Sequence, residues 1–212
     1  MPYSVLTFTK RADGADLAGF QEHALRRARE STPPAGCTQR AHSRVVERAY
    51  RHSEPAFDTL DETVFDEFEP ARAWRARVRA AVPGEQVRVL LARIVPVTAA
   101  AAPPDGIKHI ELVRKAGTMD RPSFLAHWRD VHGPLAASIP GVLRYLQYPA
   151  ADDEYAQGTP AHDGVAILWF ASLDTMREGA RHPAFAQTRE DMGRFMDMEG
   201  SVSLLTQQAW AA

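Results

Sequence analysis

Two histidines and a glutamate stand where proton-transfer chemistry would need them. His132 follows Trp128 by four residues and directly precedes Gly133-Pro134. At about 100° per residue, Phe124, Trp128, Val131 and Leu135 form one stripe of a helix facing a sheet, and His132 sits about 60° from its centre, at the rim of the core. An imidazole titrates at about 6.5, so modest burial carries it across neutrality and suits it to acid or base work. The plainer alternative is a capping or core histidine bonded to a carbonyl. In the segment Ile107 to Arg114, alternation puts His109, Glu111 and Val113 on one face and Ile110, Leu112 and Arg114 on the other. Under helices, that face leaves the Glu111 carboxyl poorly solvated, raises its pKa and makes it a proton-transfer group beside His109. On an edge strand the pair is simply solvated.

Around these groups, Trp128, Tyr145, Tyr148 and Trp169 suggest an aromatic-lined interior, with His182 and Phe185 at its margin. Aromatic residues in strands are equally at home in a plain core. His182 precedes a helix-breaking proline and has backbone groups to satisfy, and His162, before Asp163-Gly164, reads as a solvated loop residue. His127 and His132 lie about 140° apart on an α-helix, so they cannot chelate one ion as an i,i+4 pair would. No phosphate-binding Gly-rich loop or Gly-x-Ser-x-Gly elbow is present, and Cys37, the only cysteine, has no evident base partner. The expected site therefore uses no cofactor and no metal. Arg72, Arg75, Arg77 and Arg79 surround Trp74, and their spacing turns half of them away from any one helix face, as on a solvated surface.

The elements that must position these residues fall into two halves. Tyr3 to Thr9, Ser43 to Tyr50, Glu62 to Phe68 and Gln86 to Val95 read as strands, with helices over Asp16 to Arg29 and Pro70 to Ala81. Ala99 to Gly106, an alanine run followed by two prolines, marks a boundary between residues 1–98 and 105–212. The same β-α-β-β-α-β order then returns: Ile107 to Arg114, a helix over Arg121 to His132 ended by Gly133-Pro134, Leu143 to Tyr148, Gly164 to Phe170, a helical stretch from Asp174 to Met196 broken at His182-Pro183, and Ser201 to Gln207. Lys10-Arg11, Phe20 and His23 recur at a common offset as Arg114-Lys115, Phe124 and His127. The expected fold is α+β: two tandem ferredoxin-like units, each an antiparallel sheet covered by two helices.

The chain has 212 residues, with 25 Lys and Arg against 27 Asp and Glu. That balance lacks the broad basic footprint of a nucleic-acid binder. With 45% hydrophobic and 25% charged residues it has the make-up of a packed globular protein. A lone cysteine, no signal-peptide layout and no long apolar run give the expectation of a cytoplasmic protein with no membrane partner.

The segment Phe124-Leu125-Ala126-His127-Trp128-Arg129-Asp130-Val131-His132-Gly133-Pro134, together with Ile107-Lys108-His109-Ile110, resembles the EthD family of the dimeric α+β barrel superfamily. The resemblance covers residues 107 to 207, and the first half follows it only in element order. It implies that the two sheets pack as a barrel within one chain, with a possible homodimer of the tandem chain. It also implies a small pocket between sheet and helices of each unit, and proton-transfer chemistry on aromatic or polyketide-like carbonyl compounds. His132 matches the family's helix-end histidine and His109 a strand histidine of plant polyketide cyclases. His182-Pro183-Ala184 matches the start of those cyclases' His-Pro-Ala-His segment, whose second histidine is Phe185 here. Val5, Thr7 and Ala28 fall where His109, Glu111 and His132 would repeat. The expectation is therefore one working pocket in the second half and a structural first half, with His23, His42 and His52 as a reserve for a separate site there.

The leading expectation is a cofactor-independent lyase, dehydratase or isomerase. In it His132 or His109 takes a proton beside a carbonyl, Glu111 sets the tautomer or shuttles the proton, and Trp128, Tyr145, Trp169, His182 and Phe185 hold a small apolar or aromatic substrate. Its rivals are a non-catalytic binding or accessory protein and a haem-dependent or cofactor-free oxygenase.

Overall fold

The computed structural model describes every residue except 52, 82–85, 99, 104 and 157. His52 and the linker residues Ala99 and Pro104 thus lie outside the described residues. The chain forms two compact units, Met1–Ile94 with Leu204–Ala212, and Val95–Ser203.

In the first unit, β1 (Tyr3–Thr9), β2 (Cys37–Val45), β3 (Thr59–Phe65), β4 (Val87–Arg93) and β9 (Val202–Ala211) form an antiparallel sheet in the order β4-β1-β3-β2-β9. The inner strand β1 buries Val5, Leu6 and Phe8 completely. Helices α1 (Leu17–Glu30) and α2 (Phe68–Ala81) pack on the sheet through Ala24, Ala28 and Ala71. The Asp16 carboxylate starts α1 by accepting the Gly19 N–H at 2.6 Å. The expected strand Ser43 to Tyr50 lies earlier than its residues suggested. It ends at Val45, and Glu47–Arg51 coils into a 3₁₀ turn, in which the Ala49 N–H bonds the Val46 carbonyl.

In the second unit, β5 (Val95–Pro96), β6 (Ile107–Val113), β7 (Arg144–Pro149) and β8 (Gly164–Phe170) pair antiparallel in the order β6-β8-β7-β5. Every residue of β8 is buried. Helix α3 (Arg121–His127) begins where Asp120 accepts the Ser123 N–H at 2.7 Å, with Pro122 in the first turn. A π-helical turn (Trp128–His132) and α4 (Gly133–Ala137) continue it, followed by α5 (Asp152–Ala156), α6 (Leu173–Ala180) and α7 (Pro183–Phe195). The break at His182-Pro183 falls where the sequence places it.

Two expectations change. Gly133-Pro134 does not end the helix: the chain widens by one residue and the Gly133 N–H bonds the Trp128 carbonyl, five residues back. The segment Ser201 to Gln207, read as the last strand of the second unit, belongs to β9. From Leu204 onward β9 clusters with the first unit and pairs with β2 from Val45↔Thr206 to Ala41↔Ala211. Trp210 lies under the Arg40 guanidinium of β2, 5.2 Å from its charge centre. Among the described residues, no helix is long and apolar enough to cross a membrane.

Gly164 lets the π turn sit down on the sheet. A Cβ there would lie 2.6 Å from the Trp128 ring and 2.7 Å from the Tyr148 carbonyl oxygen. Gly164→Ala is expected to cost about 1–3 kcal/mol in a denaturant titration; an unchanged midpoint would mean that the helix backs away freely.

Candidate functional site

The π turn decides which side chains of the second unit face inward. One extra residue per turn rotates everything after Trp128, so Val131, expected on the buried stripe, is 44% exposed, while His132 is 7% exposed. It also stacks residues five apart, which an α-helix would splay. The sequence-based separation of His127 and His132 is thereby corrected, since both imidazoles meet one carboxylate. His127 Nε2 lies 2.9 Å from Asp191 Oδ1, and His132 Nδ1 lies 3.0 Å from Asp191 Oδ2. Phe195, one turn after Asp191 on α7, lies against both rings, at 5.1 Å from His127 and 4.8 Å from His132 between centroids.

An ionised carboxylate only accepts, so each histidine donates to Asp191 from the nitrogen facing it. His132 is left with Nε2 as a bare acceptor, the tautomer of a general base. Burial lowers the His132 pKa and outweighs the attraction of Asp191, with His127 lowering it further. The imidazole is therefore neutral and basic at pH 7. Among the described residues, no three His, Cys, Asp or Glu side chains are grouped to hold a metal ion.

His109 and Glu111 form a second group. Their cross-strand partners are Leu168 and Ala166, which pack with Val113, Tyr145, Phe170 and the helix residues Phe124, Trp128 and Phe195 in one cluster. The pair thus shares the helix-covered face of the sheet. His109 Nε2 lies 2.9 Å from Ser203 Oγ and 3.8 Å from Glu111 Oε2. Burial pushes the Glu111 carboxyl up to about 7, opposed by a hydrogen bond from Ser203, and burial lowers the His109 pKa.

The remaining candidates are dispersed. Trp128 and Tyr145 are fully buried in the same cluster, and the Gln147 amide ties them by donating to the Trp128 carbonyl at 2.8 Å and the Tyr145 hydroxyl at 3.1 Å. Trp169 lies on the opposite sheet face, where Lys108 and Arg144 each approach its ring at 5.3 Å. His182 is exposed and caps α7, its Nδ1 accepting the Ala184 N–H at 3.2 Å; Phe185 is half-buried in the first turn of that helix. His162 is buried, not solvated, because neighbouring Asp163 anchors its loop by accepting from the Lys115 N–H at 2.8 Å and the Tyr155 hydroxyl at 2.5 Å.

The first unit contains a cavity of about 280 Å³ between its sheet and helices. Thr7, Asp61, Thr63, Arg40 and Trp210 line it from the strands, and Arg27, Trp74 and Arg77 from the helices. Behind Asp61, fully buried His42 places Nδ1 2.7 Å from Asp61 Oδ1. The α2 arginines are not all solvated. Arg72 and Arg77 are exposed, whereas Arg75 is 3% exposed, because α2 turns that position into the unit. His23 is exposed on α1 beside Arg26. Sequence reading missed Asp191, whose pairing needs the tertiary fold, and the cavity, whose lining comes from seven elements.

Glu111 gives a pH signature. Its carboxyl rises from an ordinary 4.5 to about 7 on folding, so between these values the folded state binds more protons and stability falls as pH rises. The loss amounts to at most about 3 kcal/mol. Denaturation of wild type and Glu111→Gln from acid to neutral pH is expected to show the variant gaining relative stability across this window and levelling off above it. A constant difference would show that Glu111 titrates normally.

The chain's relatives bear on this arrangement. The EthD domain model matches residues 116–199. No curated protein matches the chain. Among solved structures, an anthrone oxidase-like protein is similar at 12% identity with a TM-score of 0.70, covering 100% of this chain and 92% of that one. A Lactobacillus acidophilus NCFM protein provisionally assigned as a monooxygenase is 13% identical, with a TM-score of 0.56 and coverage of 100% and 95%. A mutant chlorite dismutase from Candidatus Nitrospira defluvii is 8% identical, with a TM-score of 0.54 and coverage of 99% and 92%. These are dimeric α+β barrel proteins, and at such identities the likeness is one of fold. The stretch that holds the π turn, Asp191 and both of its histidines lies within the residues that the EthD domain model matches.

Proposed function

We propose that the second unit is a cofactor-independent catalyst that takes a proton from a C–H activated by conjugation with the carbonyl of a small aromatic compound and lets the carbanion react with O2. The observation that carries this reading is the buried pair of His132 and Asp191, with His132 neutral and its Nε2 bare. His132 is the base, Asp191 fixes its tautomer and steadies the imidazolium that forms, and Glu111, half-protonated near neutrality, relays the proton onward. Trp128 and Tyr145 shape the apolar wall. Elimination and isomerisation begin with the same proton removal, so the fate of the carbanion separates them from oxygenation. The fold shared with an anthrone oxidase-like protein and with a protein provisionally assigned as a monooxygenase supports oxygenation. For anthrone, C–H deprotonation, attack of the carbanion on O2 and return of the proton give a hydroperoxide at the former CH2; loss of water leaves the quinone, one oxygen atom becoming the second ring carbonyl and the other leaving as water.

The first-unit cavity does not fit haem. It is lined by no histidine, cysteine, methionine or tyrosine that could serve as axial ligand. In the second unit, His109 and His127 spend Nε2 on Ser203 and Asp191.

Oxygen uptake and product formation with anthrone test the proposal. Wild type is expected to consume O2 and form the quinone, and His132→Ala to lose about 100- to 10,000-fold in turnover with an unchanged circular-dichroism spectrum. Equal activity of the two proteins would overturn the base assignment. Conversion without O2 consumption would establish a lyase or isomerase instead, recovery of bound compound unchanged would establish a binding protein, and a Soret band in the purified protein would establish haem.

A further inference from the structure

The cavity of the first unit has the chemistry of a binding site in its own right, and it lies in the unit that lacks the counterparts of His109, Glu111 and His132. Its lining is mainly apolar, with Arg27, Arg40 and Arg77 set against Asp61 and Glu62. Arg27 and Arg77, both exposed, stand on the two helices, and among the described residues neither enters an ion pair. Arg77 lies over the Trp74 ring at 5.8 Å, so its guanidinium is held by the helix that presents it. Arg40 is already committed. Its N–H groups donate to the carbonyls of Ala28 and Ser31 at 2.7 and 2.8 Å and to the Ser31 hydroxyl at 2.6 Å, while its plane covers Trp210. It therefore fixes the position of an indole rather than offering free donors.

The deeper surface differs in character. Thr7 and Thr63 bring hydroxyls from the middle of the sheet, and Asp61 brings a carboxylate. His42 holds that carboxylate through Oδ1, and Oδ2 is left to accept. His42 Nε2 is buried without a hydrogen-bond partner. Among the described residues, Asp61 is thus the one polar contact that the imidazole makes, an arrangement that leaves a buried ring nitrogen unsatisfied for the sake of one carboxylate.

We infer that this cavity binds a small hydroxylated aromatic carboxylate. The acid group meets Arg27 and Arg77, whose planar guanidiniums match a carboxylate; the ring lies among the indoles of Trp74 and Trp210; and the hydroxyl donates to Asp61. The volume, near the lower end of ligand pockets, suits one or two fused rings. The site is separate from His132 and Asp191 and does not depend on the catalytic reading of the second unit.

The four tryptophans make the test specific, since Trp74 and Trp210 belong to the first unit and Trp128 and Trp169 to the second. In a ¹⁵N-correlated spectrum of the full chain, titration with 4-hydroxybenzoate, whose hydroxyl lies across the ring from its acid, is expected to shift the Trp74 and Trp210 indole signals to saturation and leave those of Trp128 and Trp169 in place. Arg77→Ala, an exposed change, is expected to weaken binding about tenfold or more. Benzyl alcohol, with the ring and a hydroxyl but no acid, is expected to bind much more weakly. No shift up to millimolar concentrations, shifts confined to Trp128 and Trp169, an unaffected Arg77→Ala protein, or equal affinity for benzyl alcohol would each overturn the proposal. None of these outcomes bears on oxygen uptake, so the two proposals fail independently.

Discussion

Pro134 has no N–H to return to the carbonyl of Asp130, and its ring would collide with that carbonyl in a regular helix. The second unit resolves the conflict by widening rather than stopping, and the π turn from Trp128 to His132 follows. Much of the candidate site depends on that local concession. The turn rotates His132 inward and Val131 outward, and it aligns His127 with His132 so that both reach Asp191. Gly164 then supplies the room for Trp128 that the widened helix needs.

Burial sets the protonation states around this frame, and it acts in opposite directions on the two kinds of group. It keeps His132 neutral even beside a carboxylate and drives Glu111 toward the protonated acid. A buried base that is ready to accept and a buried acid poised to give up a proton are thus found over the same face of one small sheet. Neither needs a nearby cation to reach that state; removal of solvent is enough.

Much of this architecture is legible in the residues themselves. Strand alternation places His109 and Glu111 together on one face, though not which face the helices cover, and the break at His182-Pro183 and the β-α-β-β-α-β order are visible in one dimension. What is hidden has a common cause. A helical wheel assumes a constant angle per residue, so it puts Val131 inside and separates the two histidines; one inserted residue undoes both conclusions. Asp191 is hidden for another reason, because it stands 59 residues from His132 and only the packing of α7 brings them together. The strand β9 keeps the alternation expected of it, yet periodicity carries no information about which β-strand it will pair with.

That last pairing has a consequence for how the chain is made. The first unit is not contiguous: its sheet is completed by residues from Leu204 onward, after all of the second unit has been synthesised. On a ribosome the first 94 residues emerge with the edge of β2 open, and they keep it open while more than 100 further residues are added. An unpaired edge of that kind is a template for pairing with another chain. Pairing across so long a stretch of sequence is slow, and such intermediates are prone to aggregate. A last strand that arrives late makes the emergence of β9, rather than that of the first 94 residues, the moment at which the first sheet closes.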